Sequence, residues 1–113
     1  MAEDTGTSSH RIVIYSPEAE NDQLGIFIDT AQQWSVAQAR RYSEFLLFTA
    51  QQLAHQPAIA PLVPNLDGVR CYVARWKNAR DGHRIFFEEI PEGINVIRIL
   101  HTAMNWEERL GGE

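Results

Sequence analysis

The hydrophobic pattern of the chain changes its period at Asp67-Gly68, and this change limits the possible folds more than any other feature. Before this point, apolar residues recur every three or four positions, which is typical of amphipathic helices. After it, they alternate with polar residues, which is typical of strands. Because 113 residues make only one domain, the helices and strands must share a core. The sequence therefore predicts an α+β domain.

Two helices are predicted in the first half, and each begins at a recognisable signal. Ser16-Pro17 supplies an N-cap and a proline at the first helical position. Ser35 begins the second helix and, with Gln38 three residues later, fits a capping box. Pro57 ends this second helix. Because the junction between the helices is short, we expect them to fold back on each other as a hairpin.

Four segments are predicted to be strands, one before the helices and three after them. The first is the β-branched segment 11–15. Short turns separate the other three, so we expect an antiparallel meander of the strands 69–76, 83–90 and 94–101. A short helix at 105–110 completes the order β-α-α-β-β-β. The helix hairpin is expected to pack on one face of a mainly antiparallel, curved sheet, leaving the other face free.

Composition excludes several classes of protein. The single cysteine leaves no intramolecular disulfide and no cysteine-based zinc site. No apolar stretch has the length of a membrane helix, and the polar, acidic N-terminus lacks the features of a signal peptide. We therefore expect a cytoplasmic protein with no membrane partner, in which residues 1–10 are a flexible tail and 11–113 are the domain.

The net charge of −5 argues against a protein that wraps nucleic acid, yet positive charge is concentrated in one segment. Residues 70–84 contain five basic residues and one acid, Asp81. The basic residues are Arg70, Arg75, Lys77, Arg80 and Arg84.

Alternation along the strands predicts where these side chains point. If Val69, Cys71 and Val73 face the helices, the residues between them face the other way, and the same reasoning applies to the next two strands. Three arginines and two aromatic residues then share the free face: Arg70, Tyr72, Arg84, Phe86 and Arg98. Such a face suits a carboxylate-rich or polyanionic partner. The alternative is a solvated face with cross-strand pairs between arginine and glutamate, for example with Glu88.

Several motifs resemble the RelE/ParE superfamily, the toxins of bacterial type II toxin–antitoxin pairs. They are Ser-Pro-Glu-Ala at 16–19, Asp-Gly-Val-Arg at 67–70, His-Arg-Ile-Phe-Phe at 83–87, and Val-Ile-Arg-Ile-Leu-His at 96–101 followed by Met-Asn-Trp-Glu. The resemblance covers residues 11–110. It implies a toxin neutralised by a cognate antitoxin, a ParD-like small DNA-binding protein whose disordered tail folds across the toxin.

The superfamily has two branches with different mechanisms. RelE-like members cut mRNA on the ribosome, and their sites often contain a C-terminal tyrosine or a run of basic residues. This chain has neither after His101. The resemblance therefore implies a ParE-like toxin that inhibits DNA gyrase by binding and uses no catalytic residue, cofactor or metal.

Two alternatives to this hypothesis stay open. The first is a RelE-like endonuclease that acts on the ribosome and mRNA and uses Arg70, Tyr72, Arg84 and His101, although alternation directs His101 towards the helices. The second is a non-toxic interaction module with the same fold.

The candidate binding residues lie on the predicted arginine face and in the segment after the last strand. Antitoxin acids are expected to pair with the arginines. Trp106 is expected to anchor the terminal helix to the domain, with a contact to the target as its alternative role. The full set of candidate antitoxin- or target-binding residues is Arg70, Tyr72, Arg84, Phe86, Arg98, Met104, Asn105 and Trp106.

Overall fold

The computed structural model describes residues 10–77 and 79–110. Its elements are β1 (Ile12–Tyr15), α1 (Pro17–Gln33), α2 (Val36–His55), a 3₁₀ turn (Pro57–Ile59), β2 (Val69–Ala74), β3 (His83–Ile90), β4 (Gly93–His101) and α3 (Trp106–Leu110). The predicted α+β class and the order β-α-α-β-β-β are confirmed. The tail predicted at the N-terminus lies outside the described residues, apart from His10. None of the described helices has the length and apolar character to cross a bilayer.

The four strands form one mixed sheet in the order β1-β4-β3-β2. The meander of β2, β3 and β4 is antiparallel, as predicted, and β1 joins it in parallel beside β4. Gly93 lies opposite Ile12, and a Cβ at this position would collide with the Ile12 carbonyl. Glycine therefore allows the two backbones to pair at this point.

The predicted capping residues fix the two helices of the hairpin. The Ser16 hydroxyl accepts a hydrogen bond from the Ala19 N–H (3.0 Å) and donates one to the Ile97 carbonyl (2.9 Å). The first bond caps α1, and the second ties its beginning to β4. Ser35 caps α2 in the same way through the Gln38 N–H (3.0 Å).

The main core lies between the helix hairpin and one face of the sheet. From the helices it includes Leu46, Ala50 and Leu53. From the strands it includes Ile85, Phe87 and Val96, among others, and none of these is more than 3% exposed. This confirms the face predicted for the core residues of β3.

A second apolar cluster covers part of the opposite face, which the sequence analysis expected to be free. Four buried residues form it: Val63, Val69, Phe86 and Leu100. The connection before β2 and the helix α3 fold over this face, and Cys71, Ile97, Trp106 and Leu110 pack against the cluster. The prediction of an open sheet face is therefore wrong for this region.

The second cluster also reverses the predicted orientation of β2. Val69 and Cys71 belong to the outer cluster, whereas Tyr72 and Ala74 pack with the helix-side core. Ile97 likewise packs with the outer cluster because the β3–β4 register shifts between Phe86 and Phe87. Since both faces of the sheet are apolar, alternation shows which residues share a face but not which face meets the helices.

Replacing Phe86 with alanine tests whether this outer cluster is a true core. Phe86 is completely buried, so Phe86→Ala is expected to lower the free energy of unfolding by about 3–5 kcal/mol. Trp34, which is 73% exposed, supplies the control, and Trp34→Ala is expected to change it by less than about 0.5 kcal/mol. Urea denaturation measures both. Equal and small losses would contradict a second core.

Candidate functional site

Arg70 does not lie on the same face as Arg84. It is the cross-strand neighbour of Phe87, which belongs to the helix-side core. Its Nε forms a salt bridge with the Glu89 carboxylate (3.0 Å), and its Nη1 donates to the Ala60 carbonyl (2.6 Å). The predicted convergence of three arginines is therefore wrong, and Arg70 already has a carboxylate partner in the folded chain.

Arg98 is also engaged by a residue of its own chain. Its Nε and Nη2 donate to the two carboxylate oxygens of Asp22 on α1, at 2.8 and 3.0 Å. Asp22 also accepts the Ile99 N–H (2.9 Å). The hydrogen bonds to Asp22 raise the pKa of Arg98 further above its usual value, so this guanidinium stays charged and paired.

Arg84 differs from the other two arginines. It projects from the outer face between its cross-strand neighbours Val73 and Leu100. Its Nε is buried without a hydrogen-bond partner, and no carboxylate among the described residues pairs with it. Burial raises the pKa of the nearby Cys71 thiol, and the positive charge of Arg84 partly offsets this effect. Of the three predicted arginines, Arg84 alone has no carboxylate partner among the described residues.

The two predicted aromatic residues do not form a stacking surface. Tyr72 packs against the helix-side core, and Phe86 is fully buried on the other side of the sheet. The ring of Phe86 contacts Trp106, with the ring centroids 5.4 Å apart. Trp106 therefore anchors α3 to the domain, as predicted. In the segment before it, Met104 and Asn105 are exposed and remain candidate contact residues.

A cluster that the sequence did not predict lies where β3 begins and β4 ends. The Tyr42 hydroxyl of α2 shares a hydrogen bond with Nδ1 of His83 (2.6 Å). The His101 ring meets the His83 ring edge to face at 5.3 Å between centroids. His101 lies on the helix side, as alternation predicted, and its Nδ1 accepts the Ala103 N–H (3.0 Å). These contacts join a helix to two strands.

This cluster forms part of the wall of an open cavity of about 960 Å³. The cavity lies between α1, the β2–β3 loop, the end of β4 and the segment that follows it. Its wall includes Asp22, Tyr42, His83, Arg98, His101 and Met104, and Trp34 and Trp76 also border it. The cavity combines aromatic surface with charged groups of both signs, which is a suitable lining for a polypeptide segment.

The electrostatics of the cluster favour neutral side chains. Burial and the neighbouring His101 lower the pKa of His83 to about 4, and the charge of Asp22 opposes this shift. Burial raises the pKa of Tyr42 to about 12. His83 is therefore neutral at pH 7 and ready to share a hydrogen bond with the Tyr42 hydroxyl. Among residues 10–77 and 79–110, no three His, Cys, Asp or Glu side chains come together in an arrangement that could hold a metal ion.

The four residues of the endonuclease alternative are dispersed over the domain. Arg70 and Tyr72 lie on the helix side, and Arg84 lies on the outer side. His101 lies beside His83, in the cluster at the end of β4. Sequence reasoning missed Tyr42 and Asp22, because each is distant in sequence from its partner. The only local signal was that each is a polar group close to an apolar helix stripe.

The fold and site define a small α+β domain in which a helix hairpin covers a four-stranded sheet and the exposed sites suit macromolecular partners. The family model for the ParE toxin of the parDE type II toxin–antitoxin system matches residues 13–106. The chain is 28% identical to Toxin ParE1 of Caulobacter vibrioides over 96 residues, which cover 85% of this chain and 94% of that toxin.

A solved structure of the chromosomal ParDE TA system from P. aeruginosa has the same fold, with a TM-score of 0.63. It is 18% identical, and the alignment covers 81% of this chain and 96% of the solved chain. The chain belongs to the ParE toxin family of type II toxin–antitoxin systems, which confirms the resemblance inferred from its motifs. Membership in a ParDE-type system also implies an antitoxin partner.

The lowered pKa of His83 predicts how stability depends on pH. The folded state resists protonation of His83 down to about pH 4, whereas the unfolded state binds a proton near pH 6.5. The stabilising contribution is therefore present above pH 6.5 and lost as the pH falls towards 4, by up to about 3 kcal/mol.

Chemical denaturation between pH 7 and 4 measures this loss. His83→Gln is expected to lose less stability between pH 7 and 4 than the natural protein does. His10→Gln, which changes an exposed histidine, is expected to lose as much stability as the natural protein. Identical pH profiles for the natural protein and His83→Gln would show that His83 is not held neutral by the fold.

Proposed function

We propose that this ParE toxin inhibits DNA gyrase by binding to it in the cytoplasm and is neutralised by a ParD-like antitoxin. The observation that carries the proposal is the dispersal of the residues a nuclease would need. Cleavage of RNA by its own 2′-oxygen requires a base, an acid and a cation around one phosphate. Arg70 and Arg84 project from opposite faces of the sheet, and His101, although on the same side as Arg70, lies at the other end of β3, beside His83. This arrangement supports action by binding.

The segment after β4 is the proposed gyrase contact. Met104 is 39% exposed and lies on the wall of the cavity, while Asn105 is exposed beside it. Trp106 holds this segment in place through Phe86, so its backbone is ordered before a partner arrives. A pre-ordered apolar residue beside a cavity loses little entropy on binding, which favours a specific protein contact.

Arg84 is the proposed contact for an antitoxin carboxylate. The Arg84 side chain is partly exposed and has no carboxylate partner among the described residues, so an antitoxin carboxylate can pair with it without displacing an internal acid. Arg70 and Arg98 already have carboxylates in Glu89 and Asp22. An antitoxin acid therefore gains more from Arg84 than from either of the other arginines.

Two parallel assays test the proposed target. Purified protein is added to gyrase in supercoiling and DNA-cleavage reactions, and to translating ribosomes in a reaction that maps mRNA cuts. We expect inhibition of gyrase and no mRNA cleavage. Codon-specific cuts that disappear in Arg84→Ala would overturn the proposal in favour of the endonuclease. Inactivity in both assays, with no growth defect on expression, would favour a non-toxic interaction module.

The antitoxin contact is tested by reversing the charge of Arg84. Arg84→Glu places like charges together at the interface and is expected to weaken the complex by roughly 2–5 kcal/mol in a calorimetric titration. Arg84→Met keeps the apolar stem without the charge and is expected to weaken it less. Arg80→Glu, an exposed change in the same basic segment, serves as the control. If the Arg84 variants fold and bind with unchanged affinity, Arg84 is not in the interface.

A further inference from the structure

The strand β1 lies at one edge of the sheet, and half of its backbone hydrogen-bonding groups face outward. The Ile12 N–H donates to the Glu92 carbonyl (3.0 Å), and the Ser16 N–H donates to the Val96 carbonyl (2.9 Å). Residues 12, 14 and 16 therefore direct their N–H and C=O groups towards β4. By alternation, the same groups of Val13 and Tyr15 point away from the sheet.

These outward groups have no partner in the described part of the chain. Just before this stretch, the Arg11 carbonyl does have a partner, because it accepts a hydrogen bond from the Gln51 side-chain amide of α2 (2.9 Å). From Val13 to Tyr15, two N–H and two C=O groups lack a hydrogen-bond partner among residues 10–77 and 79–110. Such a row of unpaired groups is a template for an additional strand.

Exposed apolar side chains lie on both sides of this open edge. On the outer face, Ile12 and Ile14 are 44% and 46% exposed. On the helix side, Leu47 and Phe48 precede Gln51 by one helical turn and share its side of α2; they are 47% and 63% exposed. Because Gln51 contacts Arg11, these two residues flank the stretch of β1 that follows it.

The other edge strand of the sheet, β2, is covered by the chain itself. Along β2, the Val63 N–H donates to the Val69 carbonyl (2.8 Å), and the Cys71 N–H donates to the Pro61 carbonyl (3.1 Å). The chain thus closes that edge with its own connection between α2 and β2. The two edges of the sheet therefore differ: the chain covers the β2 edge with its own backbone but leaves the β1 edge from Val13 to Tyr15 unpaired within the described residues.

We propose that an extended segment of the antitoxin adds to β1 as a fifth strand of the sheet. The segment carries apolar residues on both of its faces, one set against Ile12 and Ile14 and the other against Leu47 and Phe48. Backbone hydrogen bonds provide affinity, and the apolar contacts on the two faces provide selectivity. The inference rests on the proposed neutralisation by an antitoxin and names the surface on which part of it occurs.

Charge and length favour the antitoxin over a second copy of this chain. Each copy has a net charge of −5, so two copies repel each other. A symmetric pair of β1 strands forms backbone hydrogen bonds only through Val13 and Tyr15 of each copy, a short ladder for an interface that must hold a dimer together by itself. The exposed Glu44 precedes Phe48 by a further turn on the same side of α2, and it favours a segment with a lysine or arginine at this end.

Amide hydrogen exchange, followed by NMR in the complex of the full chains, tests strand addition directly. The antitoxin used is the small protein encoded by the reading frame adjacent to that of this toxin. The Val13 and Tyr15 amides are expected to exchange fast in the free toxin and at least about tenfold more slowly in the complex. The Ile14 amide, already bonded within the sheet, is expected to be protected in both states. Unprotected Val13 and Tyr15 amides in the complex would overturn the proposal.

Matched variants at the two sheet edges provide a second test. Ile14→Lys and Phe48→Glu are expected to weaken the antitoxin complex at least about tenfold, as measured by titration calorimetry. Leu62→Lys changes a 58% exposed leucine beside the closed β2 edge and is expected to leave affinity unchanged. Equal affinities for all three folded variants would contradict the inference.

The outcomes separate this inference from the proposed function. If the chain fails to inhibit gyrase, protection of Val13 and Tyr15 by the antitoxin still supports strand addition. If it inhibits gyrase and the antitoxin relieves inhibition without protecting these amides, only the inferred surface is wrong. Protection that increases with the concentration of the toxin alone would identify a second copy as the occupant and overturn the assignment to the antitoxin.

Discussion

The carboxylate of Asp22 connects the helix hairpin to the half of β4 that β1 does not reach. β1 pairs with β4 only as far as Val96, and beyond this point the edge of β4 needs other partners. The Ser16 hydroxyl donates a hydrogen bond to the Ile97 carbonyl. The Asp22 carboxylate accepts hydrogen bonds from the Ile99 N–H and from the Arg98 guanidinium. Because these bonds hold α1 against β4, they also fix one wall of the cavity and keep Arg98 engaged inside the chain. Loss of Asp22 would leave both a buried backbone donor and a cation without their acceptor.

The coverage of both faces of the sheet determines which groups stay available to partners. The helix hairpin buries one face, while the connection before β2 and the helix α3 bury part of the other. The proposed partner contacts therefore lie at boundaries: Arg84 beside the outer cluster, the segment at Met104, and the open edge of β1. A small domain with two covered faces binds partners through edges and terminal segments, since these are the places where its backbone and side chains remain unsatisfied.

The sequence predicted the order of elements and the caps of both helices, because these depend on local signals at Ser16, Ser35 and the turns between strands. It did not predict the orientation of β2, because alternation is symmetric when both faces carry apolar residues. The irregular register opposite Phe86 and Phe87 moved Ile97 to the outer cluster, and a bulge of this kind leaves no clear mark in the sequence. The Asp22–Arg98 pair joins residues 76 positions apart, so no spacing rule connects them. The predicted arginine face failed for two reasons: the reversed orientation of β2 takes Arg70 to the helix side, and the acids that pair with Arg70 and Arg98 come close to them only in the folded chain.

The internal pairing of these arginines changes what the basic segment means for recognition. In the sequence, residues 70–84 resemble a positive patch within an acidic protein. In the fold, Glu89 compensates Arg70, Asp22 compensates Arg98, and Asp81 follows the exposed Arg80 in the β2–β3 loop. A polyanion requires several free cations in a row to release its counterions, and this distribution does not provide such a row. A protein partner needs only one well-placed carboxylate at a desolvated guanidinium, together with apolar and backbone contacts. Arg84, which has no carboxylate partner among the described residues, and the unpaired edge of β1 match the second requirement and not the first.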